Sequence, residues 1–391
     1  QSIYGWRGAQ PENVMRFEND FQGCKTYHLE TNYRSTPSIL KTSQKLIDLN
    51  TMRKPTTLRT DNPDGEKPRL IEAYSDWDMA RMIARDTASK IRSGFLPEEI
   101  AILYRTNWSS RVLEQAFREA EIKYKVVNGT SFWSRQEVKT GIAMLKLLAN
   151  ENDKMSFERA VEGCCRGAGP KALGAVEEIS QGKGIPVLVA AEEFCGSSLY
   201  QAKALLPLVA GLRSHRGLLP GKTIMEIAKN TALWSRLEGD STTVNDRCGN
   251  FTELARDVDE YCAKPNSTLA GYLQSLSLLA DGDQKSVKGA VKLMTMHSCK
   301  GLEFDCVYVS HCTDDVLPHP RAVMMDVGQP FPAQREEERR LLYVSMTRAR
   351  KWLSLCTFAA KGRAEKMTNV NPSPFLAEIG FFPRIRASFD E

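Results

Sequence analysis

The sequence has no run of about 18 or more apolar residues, the length a membrane-crossing helix needs, so a transmembrane anchor is not expected. Histidine is scarce: five residues, spread from His28 to His319, too dispersed to suggest a metal cluster. The ten cysteines include no Cys-x-x-Cys pair, and the adjacent Cys164 and Cys165 are ill-spaced for zinc. Thiols scattered through so long a chain point to small buried residues in a reducing cytoplasm rather than to a disulfide framework. The opening Gln1-Ser2-Ile3-Tyr4 shows neither the basic nor the apolar region of a signal peptide. It also lacks an initiating methionine, so the parent protein's amino terminus is expected elsewhere. Internal repeats and low-complexity tracts are absent from the pattern.

What is present is ordinary for a globular protein, with 42% hydrophobic and 26% charged residues. A length of 391 residues exceeds what one compact core usually holds, so two or three units are expected. The net charge of +5 permits an anionic partner without requiring one.

Residues 26–149 alternate short β-rich runs with helical periodicity. Segments 69–74, 100–105 and 123–127 read as strands; 76–93 and 109–121 read as helices between them. A further helix is expected near Arg135, with Ser134 and Glu137 as a capping box and Val138, Ile142, Leu145 and Leu148 at helical spacing. Strand and helix in this rhythm imply an α/β unit with a largely parallel sheet. From about 150 to 287 strand signals fade, and Ala, Leu, Glu and Lys with Gly-rich breaks read as a mostly helical domain. Strands are expected again at 291–296, 306–310 and 352–357, with a helix over 335–348. After Phe358 the pattern weakens into a polar, proline-containing tail. The economical reading is one α/β domain interrupted by a helical insertion.

A parallel sheet presents its strand-to-helix loops at one edge, where ligands normally bind, and the chemically informative segments are expected there. Gln1-Ser2-Ile3-Tyr4-Gly5-Trp6-Arg7-Gly8-Ala9 sets aromatics and an arginine beside glycines. Exposed rings can stack bases while arginine meets phosphate; a tight turn with Trp6 as core filler is the competing reading. In Glu30-Thr31-Asn32-Tyr33-Arg34-Ser35-Thr36-Pro37, Thr36 as N-cap and Pro37 at the first helical position specify a helix start. Arg34 just before it could face an anion together with the helix amides, or serve as a surface ion pair.

Met294-Thr295-Met296-His297-Ser298-Cys299-Lys300-Gly301-Leu302-Glu303-Phe304 is a polar loop between apolar strands, where loops commonly carry function. Glu336-Glu337-Glu338-Arg339-Arg340 reads as a solvated helix surface with a Glu336–Arg340 pair. Arg348, at that helix's end, could deliver a guanidinium to a phosphate. Gly217-Leu218-Leu219-Pro220-Gly221-Lys222-Thr223 imitates a phosphate loop but has three residues between its glycines where four are required. It reads as structural, and no other phosphate loop is apparent.

Taken in order, these segments resemble the UvrD/Rep/PcrA family of superfamily 1A DNA helicases. The opening segment is similar to that family's motif III, Asn32-Tyr33-Arg34-Ser35-Thr36 to motif IV, residues 295–304 to motif V and residues 337–349 to motif VI. Weaker likenesses are residues 132–139, the loop Arg166-Gly167-Ala168-Gly169, and Pro372-Ser373-Pro374-Phe375-Leu376.

The resemblance implies a RecA-like lobe, 2A, at 28–149 and 288–391, split by a helical insertion, 2B, at 150–287, with 1–27 the tail of a first lobe, 1A. It implies an ATP-dependent 3′-to-5′ DNA helicase that translocates on single-stranded DNA and unwinds duplex, in repair, replication or recombination in the cytoplasm. A non-motor DNA- or protein-binding module retaining the fold is the alternative. By the same resemblance Gln1, Arg34 and Arg348 would act on the γ-phosphate, Tyr33 would stack on adenine and Glu303 would contact the ribose. Tyr4, Trp6, Arg7 and His297 would meet single-stranded DNA, and Arg166, Gly167 and Gly169 duplex DNA. The Walker A loop and the acidic Mg²⁺ motif of the family are absent from these 391 residues. They are expected on the first lobe, and residues 1–391 alone are expected to be inactive toward ATP. Cys299 and Ser345 depart from the family's usual Ala and Gly.

Overall fold

The computed structural model describes residues 2–5, 8–127, 131–214, 218–240, 246–280, 289–327, 333–362 and 367–385. The chain divides into two compact units, Gln1–Gly129 with Lys285–Glu391, and Thr130–Gln284.

In the first unit the chain runs through α1 (Glu12–Asp20), α2 (Pro37–Ile47), β1 (Arg69–Ser75), α3 (Asp76–Arg92), β2 (Ile100–Tyr104), α4 (Ser110–Glu119) and β3 (Tyr124–Val126). The second unit is helical among its described residues: α5 (Gln136–Ala149), α6 (Lys154–Cys164), α7 (Pro170–Lys183), α8 (Val187–Cys195), α9 (Tyr200–Arg213), α10 (Pro220–Asn230), α11 (Ala232–Asp240), α12 (Arg247–Cys262) and α13 (Leu269–Ala280). The chain then returns through β4 (Val291–Thr295), β5 (Phe304–Val309), α14 (Pro320–Met325), α15 (Ala333–Met346), β6 (Ala349–Lys361), β7 (Thr368–Asn369) and α16 (Pro374–Glu378).

The strands lie in the order β1-β6-β5-β2-β4-β3, all parallel, with β7 antiparallel to β6. β2 precedes the helical unit in sequence yet lies between β5 and β4, which follow it. The sheet is therefore complete only when both stretches meet, and the lobe is a RecA-like parallel α/β fold interrupted by a helical insertion.

Burial explains the near-continuous apolar runs. All of β2 is buried, as expected of a parallel strand covered on both faces. Ala101 and Leu103 join α2, α15 and α16 on one side, while Ile100, Ile102 and Tyr104 join α3 and α4 on the other.

Three expectations change. The division falls at Thr130, ahead of 150, because α5 places Val138, Met144, Leu145 and Leu147 in the core of the helical unit. The Ser134–Glu137 capping box does not form: Arg135 occupies the N-cap of α5, and buried Glu137 accepts a 2.7 Å bond from Asn250. Beyond Phe358 the chain is not a loose tail; β6 continues to Lys361, and Phe375 and Leu376 of α16 are fully buried.

Candidate functional site

The most organised polar cluster lies at the amino-terminal edge of the sheet, not at the strand-to-helix edge expected from sequence. Adjacent strands β5 and β6 begin there, with Phe304 paired to Ala349. Glu303 and Arg348, the residues just before those strands, are thereby neighbours, and the Phe304 amide donates to the Arg348 carbonyl at 2.9 Å. Arg34 arrives from the turn before α2. There the Asn32 carboxamide oxygen accepts the amides of Arg34 and Ser35, both at 2.9 Å, a side-chain-closed turn typical of Asn. Ser35 Oγ donates to the Ala349 carbonyl at 2.7 Å, and the Thr36 amide donates to the Arg350 carbonyl at 3.2 Å. The turn is thus stitched to the start of β6. Thr36 and Pro37 start α2 as the sequence implied, although Thr36 makes no side-chain cap.

Arg34 Nε donates to Glu303 at 2.7 Å, and its Nη1 to the Thr347 carbonyl at 3.4 Å. That hydrogen bond, above all, holds the Glu303 carboxyl below the usual carboxylate range. Arg348 is 4% exposed and donates to the carbonyls of Val344 (3.0 Å) and Leu302 (3.1 Å) and to Thr347 Oγ1 (3.3 Å). Among the described residues no carboxylate pairs with it. Burial, and then the like charge of Arg34, lower the proton affinity of its guanidinium. Tyr33, on the same turn as Arg34, is 81% exposed, so its ring is available to a flat partner.

A second grouping forms where the chain leaves β4. Residues 296–301 make a compact turn that carries the chain from the carboxyl end of β4 to the amino end of β5, and Gly301 adopts φ +88 there. Tyr4 Oη donates to the His297 carbonyl at 3.0 Å, and the exposed Lys300 ammonium lies 5.4 Å from the Tyr4 ring centroid. The His297 ring is buried. Next to Tyr4, the Gly5 amide donates to Glu337 at 2.9 Å, so close that a Cβ on Gly5 would lie 2.4 Å from a Glu337 oxygen. Gln1, Trp6 and Arg7 lie outside the described residues. The two sequence departures, Cys299 and Ser345, are both fully buried, Cys299 donating to the Met296 carbonyl at 3.0 Å and Ser345 to the Leu341 carbonyl at 2.9 Å, and burial pushes the Cys299 thiol up to about 12.

Arg166, Gly167 and Gly169 form their own exposed loop in the helical unit. Gly167 has φ +90 and lies against the Tyr200 ring, while Gly169 is the N-cap of α7 with Pro170 at its first turn. An exposed arginine on such a loop suits an anionic backbone.

The acidic-basic run of α15 is not the solvated surface expected; Glu336, Glu338, Arg339 and Arg340 are all buried. Arg105 forms two parallel bonds to Glu338, at 2.9 and 2.6 Å, and Arg339 two to Glu378, at 2.8 and 2.9 Å. Glu336 accepts from the Thr51 amide at 2.6 Å, and the expected Glu336–Arg340 pair is loose at 3.7 Å. Arg350, which sequence reasoning passed over, contacts Glu99, Asp305 and Glu303. Its only signal was its place two residues beyond Arg348. The imitation phosphate loop is structural: the Gly221 amide donates to Asp259 at 2.6 Å, and a Cβ there would lie 1.9 Å from the Ala255 carbonyl oxygen. Among the described residues no group of His, Cys, Asp or Glu is arranged to hold a metal ion.

Residues 27–194 and 217–360 match the family model described as the UvrD-like helicase C-terminal domain. The chain is 34% identical over 389 residues to the ATP-dependent DNA helicase PcrA of Staphylococcus aureus (strain Mu50), covering 97% of this chain and 53% of that protein. The PcrA of Staphylococcus epidermidis (strain ATCC 12228) is 33% identical over the same span. The chain thus spans about half the length of the curated relatives it matches. A solved C-terminal domain of a possible DNA helicase from Lactobacillus aligns over 89% of this chain and 94% of that one, with TM-score 0.34 and 11% identity. Nothing further follows from so weak a likeness.

Proposed function

The chain belongs to the UvrD-like helicase C-terminal domain family, and on that footing we propose that it is the second-lobe half of an ATP-dependent DNA helicase motor. The observation that carries this reading is the meeting of Arg34 and Arg348 at Thr347, two guanidiniums from distant segments with one of them unpaired by carboxylate. Like charges held together at a protein edge are suited to a polyanion, and arginines brought to a γ-phosphate from outside the phosphate loop are worth roughly 10³–10⁵ in rate. ATP fits this edge. Mg²⁺ does not fit it, since the nearby carboxylates Glu303, Asp305 and Glu99 are engaged with arginines, and no step is assigned to a metal here.

In this reading Tyr33 stacks on adenine, Glu303 meets the ribose, and Arg34 and Arg348 stabilise charge on the γ-phosphate, with Gln1 sensing it. A first lobe carries the phosphate loop and the Mg²⁺ ligands. Tyr4, Trp6, Arg7 and His297 hold single-stranded DNA, and Arg166, Gly167 and Gly169 touch duplex. The 296–301 turn joins the two activities. Its His297 end is bonded by Tyr4 and its Leu302 end by Arg348, so closure of the lobes on nucleotide shifts the grip on the strand. The 3′-to-5′ direction, the role in repair, replication or recombination and the cytoplasmic setting belong to the same proposal.

Arg348→Ala in the full-length protein tests it. DNA-stimulated ATP turnover is expected to fall about 10³-fold with the fold intact. Unchanged turnover in a folded variant defeats the γ-phosphate assignment. A parent that binds single strands but never hydrolyses ATP is instead the non-motor binding module.

A further inference from the structure

Arg350 lies just inside β6, and its three nitrogens reach three acidic residues, one ahead of β2 and two at the start of β5. One Nη is paired with Glu99, ahead of β2; Nε donates to Asp305 of β5 at 2.6 Å; the other Nη reaches Glu303 at 3.4 Å. Lys351 Nζ adds a 2.9 Å contact to Asp305. Arg350 is therefore anchored by Glu99 and Asp305, whatever happens to Glu303. Glu303 is shared: its other oxygen takes the 2.7 Å bond from Arg34, and its side chain is 46% exposed.

We propose that Arg350 is a positioning residue that keeps Glu303 aimed at the nucleotide's ribose when Arg34 leaves Glu303 for the γ-phosphate. This rests on the nucleotide reading of the site. The physical need is specific. A γ-phosphate carries more charge than a carboxylate and draws Arg34 away, removing the strongest bond to Glu303 at the moment its carboxylate must accept from a ribose hydroxyl. A half-exposed glutamate with no remaining cation is free to turn to water. A guanidinium fixed from two other sides supplies a second, permanent partner and lets Arg34 move without disordering Glu303.

The test compares affinities of the full-length protein for ATP and for whichever of 2′-deoxy-ATP and 3′-deoxy-ATP the wild type binds less tightly, by competition against a fluorescent nucleotide, in wild type, Arg350→Ala and Arg350→Lys. The wild-type protein is expected to favour ATP about tenfold, the scale of a hydrogen bond to a charged group. Arg350→Ala is expected to bring that ratio to about twofold or less, Arg350→Lys to restore part of it, and the preference for ATP over ADP to persist in both. A merely structural arginine would weaken every nucleotide alike. Wild-type discrimination retained in Arg350→Ala overturns the role of Arg350 alone. No discrimination in the wild type overturns the ribose contact of Glu303 and this proposal with it, while the γ-phosphate reading is judged separately by Arg348→Ala. If Arg350→Ala does not fold, Glu99→Gln, which loosens Arg350 at its far end, is expected to lower the ratio, and an unchanged ratio overturns the proposal.

Discussion

Glu338→Ala should cost the α/β unit more than any surface change in this protein. Arg105 is 1% exposed and Glu338 4%, and they are joined by bonds of 2.9 and 2.6 Å, with a third from the His319 amide to Glu338 at 3.2 Å. Removing the carboxylate strips a buried guanidinium of the Glu338 charge and of two hydrogen bonds, a change that typically costs about 3–5 kcal/mol. The double substitution Arg105→Met with Glu338→Leu should cost much less, because removing both charges together also removes the desolvation penalty. Because the units need not unfold together, the assay is urea unfolding read by peptide-resolved hydrogen exchange, with the loss expected in the α/β unit and not in residues 131–280. The pH dependence carries a sign. Burial, the largest single influence, raises the Glu338 carboxyl, but the Arg105 charge, the Arg105 hydrogen bonds and His319 together outweigh it, and the net folded value lies below the ordinary one. Stability from this group is then complete above its unfolded value of about 4.3 and lost as pH falls through the lower folded value. The gap between wild type and Glu338→Gln should be flat from about pH 7 to about pH 5 and close below about pH 4. A loss under about 1 kcal/mol at neutral pH in Glu338→Ala would refute the reasoning.

Gly221→Ala should destabilise the helical unit by about 1–3 kcal/mol or more, since the added carbon meets backbone of α12 that cannot step aside. The same exchange assay should place that loss in residues 131–280, and an unperturbed unit would mean α10 and α12 pack less closely. Tyr33→Ala should weaken ATP binding several-fold, on the scale of about 0.5–1.5 kcal/mol for one aromatic stack, while leaving the melting temperature unchanged because the ring is exposed. Equal affinity for ATP in the two proteins would remove Tyr33 from the site.

Much of the architecture was legible from local pattern. The strand at 100–105 and the helix at 76–93 match β2 and α3 to within a residue, because a fully buried strand needs an unbroken apolar run and an amphipathic helix a regular stripe. Arg34, Glu303 and Arg348 were singled out from three separate segments, and the structure brings them to one edge. The edge itself was mistaken. Sequence places Glu303 and Arg348 just ahead of strands, but that both strands start at one edge, within reach of Arg34, depends on the parallel pairing of β5 with β6.

By itself the sequence settled the element types, the helical interruption of an α/β unit and the family, because these rest on periodicity, composition and ordered short motifs. Tertiary structure alone decided the fate of the charges. Arg105 and Glu338 are 233 positions apart, and nothing within reach of either along the chain announces the other. A run of Glu and Arg reads as solvated until distant segments supply its partners; here Arg105 and Glu378 supply counter-charges and the Thr51 amide a hydrogen bond, and α15 is buried. Arg350 became visible for the same reason: its meaning lies in three carboxylates that only the folded sheet gathers around it.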